Sequence, residues 1–183
     1  MSKRKFSLAN EYYEITPAVV SLFKWDHLDI DVSHQLGFEE QYLEFHRYLL
    51  ENLRSVPAEY PNREPWPLGL SLRAGAVKAY VVLASSIVEG ALASWGKELG
   101  ICRKPEQLMK LPLGGLLKSW APDGSPRSEV EPIWKELNLL LEYRNFIHLG
   151  KSATDENAYW KNVLERESEL LAAADKAIDY LST

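Results

Sequence analysis

The chain has one cysteine, Cys102, in 183 residues. That count excludes an internal disulfide framework and a cysteine-based zinc site. Basic residues are not in excess: 21 Lys and Arg stand against 26 Asp and Glu, a formal charge of −5. A general nucleic-acid coat protein, whose affinity comes from neutralised phosphates, is therefore disfavoured. Long apolar runs are also missing. The most apolar stretch, "AYVVLASSIV", covers only 79–88 before Glu89, well short of a membrane span. The opening "MSKRKFSLANEYYEITP" carries basic residues with no apolar segment after them, so no secretory signal is expected. The expectation is a cytoplasmic protein without a membrane segment.

What is present is ordinary for a globular chain: 46% hydrophobic and 26% charged residues, at a length that suits one domain over 1–183. Charge is unevenly placed. Residues 128–183 hold six basic and eleven acidic residues, whereas 97–127 hold six basic (Lys97, Arg103, Lys104, Lys110, Lys118, Arg127) and three acidic. An anionic ligand would be drawn to the latter region, with Lys104, Lys110 and Lys118 as candidate contacts.

Residues 1–36 form an N-terminal arm that is hard to read, with a helical core expected over about 37–182. "DHLDIDV" alternates Leu28, Ile30 and Val32 with polar residues, which predicts a short extended segment. Phe38, Tyr42, Phe45, Leu49 and Leu53 recur at helical steps and predict one apolar helix face. "VPAEYPNREPWPLG", 56–69, has four prolines and reads as a loop. A long central helix follows over about 72–99. One or two short helical pieces lie in 104–120. A capping box at Ser128 and Glu131 opens a helix over 129–149 with Gly150 as its cap. A last helix spans about 155–181. With no convincing strand between helices, the expected fold is an all-α bundle of four or five helices.

Within 129–149 the stripe Val130, Trp134, Leu137, Leu141, Arg144, His148 steps by 4, 3, 4, 3, 4. An arginine continuing an apolar face must be paired, or must line a cleft or interface. A histidine in the last turn of a helix is held toward its protonated form by the helix dipole. A fixed cation beside a titratable proton donor is what phosphodiester cleavage needs. The structural alternative is that Arg144 bridges to Glu89 while His148 caps carbonyls.

"LLLEYRNFIH" resembles the signature segment of the HEPN superfamily, in which an arginine, usually followed by asparagine, precedes a histidine near the end of a late helix. "SSIVEGAL", 85–92, with Glu89, and "LPLGGLLK", 111–118, extend the likeness to roughly 75–180. The resemblance implies a small helical bundle that homodimerises so that two arginine–histidine pairs face one cleft. It also implies a metal-independent endoribonuclease without a cofactor, in which the RNA ribose 2′-hydroxyl attacks the adjacent phosphate. Such proteins serve as toxins or in phage defence. By that resemblance His148 is the acid/base, Arg144 the phosphate contact, Asn145 an orienting residue and Glu89 a partner for Arg144. Members without catalysis bind a partner protein, such as an antitoxin or defence component. Here three residues separate Arg144 from His148, where the family's catalytic pattern has four to six.

Two further groupings are weighed and set aside. "LGKS", 149–152, lacks the first glycine of a phosphate loop. "WDHLDIDVSH", 25–34, groups three aspartates with His27 and His34, but extended alternation accounts for its spacing, so no metal is expected. "LKSWAP", around Lys118 and Trp120, comes nearest to a base-stacking platform.

Overall fold

The structure is a computed structural model and describes residues 4–8, 10–57, 66–67, 70–102, 104–146 and 156–183. Among these, eight α-helices are present rather than four or five. They are α1 (Pro17–Lys24), α2 (Ile30–Asn52), α3 (Leu70–Glu98), α4 (Pro105–Leu108), α5 (Leu113–Trp120), α6 (Trp134–Phe146), α7 (Glu156–Glu165) and α8 (Glu167–Leu181). The class is all-α as expected; the simple bundle is not what forms. Proline and glycine punctuation between long helices generates extra short ones, and the expected last helix breaks at Arg166, with φ −107° and ψ 10°.

The N-terminal third departs most from expectation. "DHLDIDV" is not extended. The Asp29 side chain accepts the Asp31 backbone N–H at 3.1 Å and caps α2, so the helix starts at Ile30, eight residues before the expected start. The strands lie elsewhere: β1 (Arg4–Leu8), β2 (Leu53–Pro57) and β3 (Trp66–Pro67) form a small antiparallel sheet in the order β1–β2–β3. Arg4 is opposite Pro57 and Leu8 opposite Leu53. Pro67 sits on an edge strand, where its missing donor is tolerated. Part of the segment expected to be a loop, 56–69, thus pairs; residues 58–65 and 68–69 lie outside the described residues.

The apolar face assigned to α2 is also reversed. Phe38, Tyr42 and Phe45 are exposed, at 61%, 63% and 39%, while Leu36, Leu43 and Leu50 are buried. The seven-residue spacing of those leucines packs on α3, and Gly90 permits the approach. A Cβ added there would lie 3.1 Å from Leu36 Cδ2.

Helix α3 is the axis of the fold, packed against α2, α4, α5, α6, α7 and α8. The single apolar core draws on all eight helices and has Ala84, Ile87, Val88 and Leu92 of α3 at its centre. Its segment Leu72–Glu98 is long and apolar enough to cross a membrane, contrary to the shorter run read from the sequence. Within its most apolar 18-residue stretch, 56% is buried inside the protein, which is how a core helix behaves. Gly100, with φ +62°, follows the helix, and the Ile101 N–H returns to the Gly96 carbonyl.

Candidate functional site

Arg144 lies in the last turn of α6 and its guanidinium is ion-paired with Glu89 of α3. The same carboxylate oxygen, Glu89 Oε1, also accepts the backbone N–H of Leu113, the first residue of α5. Local chemistry explains this double use. Helix α5 follows Pro112, which offers no capping side chain, so its first N–H groups need an acceptor from elsewhere. Glu89 supplies it and sits at the positive end of the α5 dipole. One buried-side carboxylate therefore ties three helices together and fixes the arginine.

The side chains of Arg144 and Glu89 are 27% and 18% exposed. Burial pulls the guanidinium below its usual pKa, yet arginine remains charged at any physiological pH. The α6 stripe reading needs adjustment here. Leu137 and Leu140 are fully buried and Tyr143 nearly so, whereas Trp134, Leu141 and Arg144 are half-buried. Arg144 thus lies at the margin of the core face, with part of it reaching solvent.

The other candidates are placed less tightly. Asn145 is exposed. His148 and Gly150 lie outside the described residues, as does the "LGKS" segment. Lys104, Lys110 and Lys118 are exposed, and their side chains make no ion pair or hydrogen bond among the described residues. Trp120 is no stacking platform: it is fully buried, donates to the Leu92 carbonyl at 3.3 Å and packs on Trp95 at 5.3 Å. The expected capping box does not form either. Ser128 Oγ donates to Glu129 Oε2, and a 3-10 turn, Glu131–Ile133, precedes α6. Among the described residues no group of three His, Cys, Asp or Glu is placed to hold a metal ion.

Sequence reasoning missed a second polar assembly, on the far side of α3. Glu40 of α2 is buried at 3% exposure. It accepts Trp25 Nε1–H at 2.7 Å and pairs with Lys24. Arg47, one helical face further on, pairs with Glu51 at 2.8 Å and with Asp175 of α8 at 3.2 Å. Its guanidinium lies 5.8 Å from the Tyr80 ring centroid, and the Tyr80 hydroxyl donates to Asp175 at 2.7 Å. Burial, then the bond to Asp175, push the Tyr80 hydroxyl well above its usual pKa. These groups border a cleft of about 460 Å³. The available signal was Glu40 standing between Leu36 and Leu43 on the buried face.

No protein-family model, no curated protein and no solved structure matches this chain.

Proposed function

We propose that the chain is a HEPN-like endoribonuclease, acting in the cytoplasm as a toxin or phage-defence component. It cleaves RNA without metal, with His148 as acid/base and Arg144 as the phosphate contact. The observation that carries this reading is Arg144, held by Glu89 at the margin of the core. It is charged, oriented and partly open to solvent, as a contact for a developing phosphorane must be. Asn145, exposed beside it, is available to orient a substrate. The exposed Phe38, Tyr42 and Phe45 of α2 offer an apolar surface of the kind that a second copy covers in a homodimer.

A second reading has its own observation. The carboxylate that orients Arg144 also caps α5, so the pair is fully accounted for as a structural tie. On that reading the bundle is a non-catalytic module that dimerises or binds a partner protein.

End-group analysis separates the two. RNA incubated with the protein in EDTA should yield 2′,3′-cyclic phosphate ends, and a substrate with 2′-deoxyribose at the cleaved position should stay intact. Cleavage of the deoxy substrate would rule out attack by the 2′-hydroxyl; absence of all cleavage would favour the binding module.

A further inference from the structure

Helix α2 carries two apolar faces, and the fold uses one of them. Leu36, Leu43 and Leu50 are buried on the side that packs against α3, while Phe38, Tyr42 and Phe45 stand exposed on the other. With half-buried Leu49 these residues step by 4, 3 and 4, the spacing of a seam that packs on another helix. The segment 10–16 runs beside this seam. It is held there by Tyr12, whose ring centroid is 5.3 Å from that of Phe45, and by Gln41, which donates to Glu14. It adds Tyr13 and Ile15, both exposed, to the apolar surface.

Together these side chains expose on the order of 500 Å², near the upper end of what a lone monomer presents as one apolar patch. With its polar flanks the surface approaches the roughly 800 Å² per partner of a standard interface. The flanks indicate what that partner is. Asp31, in the first turn of α2, and Arg54, just past its end, carry opposite charges. Glu39 and His46 supply an acceptor and an N–H donor along the seam, and the His46 ring centroid lies 6.1 Å from that of Tyr42. None of these four side chains has an ion-pair partner among the described residues. Both pairs are centred on the same point of the chain, between Tyr42 and Leu43, and the seam is centred within one residue of it. A surface whose acids and donors mirror each other about one point complements itself under a two-fold rotation.

We propose that two copies of this chain pair through α2, antiparallel about a two-fold axis beside Tyr42, with the two Arg144 sites held apart. Phe38 of each copy meets Leu49 of the other, and Tyr42 meets Phe45, in a closed isologous contact. Asp31 faces Arg54 across the axis and Glu39 faces His46, each pair occurring twice. A partner of unrelated sequence would cover the apolar area without that match, so the charges select a second copy. The seam lies on the side of α2 away from α3, the helix that carries Glu89. The thickness of α2, about 10 Å, therefore separates the axis from α3 in each copy. The two Arg144 side chains end at least about 20 Å apart, too far to share one phosphate. That differs from the single cleft the HEPN likeness implies, and the pairing does not depend on the RNA reading.

The test is sedimentation equilibrium of the full chain at micromolar concentrations, with each fold verified by circular dichroism. Wild type should be a dimer. Tyr42→Glu, which sets two like charges beside the axis, should weaken association about 100-fold or more, and Phe38→Ser repeats the test in the seam without a new charge. Asp31→Lys and Arg54→Glu should each weaken association about tenfold. Combined, they should restore it to within about threefold of wild type, because the swapped charges still face each other. Phe23→Ser, on the exposed side of α1, should leave it unchanged. A monomeric wild type, a dimer indifferent to Tyr42→Glu, or single charge changes that the double change does not rescue would each overturn the proposal. Where the protein cuts RNA, monomeric Tyr42→Glu should keep the wild-type rate per protomer to within about twofold. Loss of cleavage on separating the copies would overturn the separation of the sites. The sedimentation pattern decides the pairing even where no protein cuts RNA.

Discussion

Two arginines set the two sides of α3 apart. Arg144 and Glu89 form a closed tie, in which one carboxylate serves a guanidinium and a helix N-terminus. Arg47 belongs to a more open assembly where five carboxylates meet two cations, and Lys24 acts on Glu44 through its charge without an ion-pair contact. The tie to Glu89 positions Arg144 and stabilises the fold while leaving part of the guanidinium open to solvent; around Arg47 the acids outnumber the cations. The difference lies in which acids are surplus, since both arginines are half-buried and ion-paired.

The comparison breaks most visibly at Glu89. Glu89→Ala leaves Arg144 unpaired and the α5 N-terminus uncapped, and should cost about 3 kcal/mol in urea denaturation. Glu51→Ala, removing one exposed partner of Arg47, should cost less than about 0.5 kcal/mol. Equal losses would erase the difference between the two sides of α3. Next in size, Trp25→Phe removes the indole donor to buried Glu40 and should cost about 1–2 kcal/mol in the same assay.

Two carboxylates should respond oppositely to pH. Glu136 of α6 is bonded by Lys176 of α8 at 2.7 Å. Burial pushes its carboxyl up, but the bond to Lys176, with further contributions, brings the pKa below 4.5. Its stabilising contribution is therefore full above pH 4.5 and lost as pH falls through the lower folded value. Glu136→Gln should flatten that acid loss in pH-dependent melting curves. Glu44 has the opposite sign. Its folded carboxyl titrates above 4.5, so the native state holds the proton more tightly and ionisation disfavours folding. Glu44→Gln should raise the melting temperature slightly at neutral pH, with the gain fading as pH falls toward 4.5. A lower melting temperature at neutral pH would mean that the attraction of Lys24 outweighs burial and the charge of Glu40.

The helical core was legible because its signals are local. The α3 run, the short pieces around Pro105 and Leu113, and the Arg144–Glu89 contact all follow from spacing and from the cost of an unpaired arginine. The N-terminal third was not legible, for reasons the structure shows. Asp29 caps a helix inside a stretch with strand-like alternation. Helix α2 buries Leu36, Leu43 and Leu50 rather than the richer aromatic stripe, because α3 accepts that side through Gly90. The cleft was invisible for a different reason: its pairs join residues as far apart as Arg47 and Asp175. No periodicity within one helix reports on such a pair.

The central claim, that the Arg144 end of α6 cuts RNA, rests on one comparison. Wild type, Arg144→Lys, His148→Ala and Glu165→Gln should be incubated with labelled RNA in EDTA, with each fold verified by circular dichroism. The account predicts cleavage by wild type and Glu165→Gln, and a loss of about 100-fold or more in the other two. No cleavage by wild type, or equal cleavage by all four proteins, would contradict it.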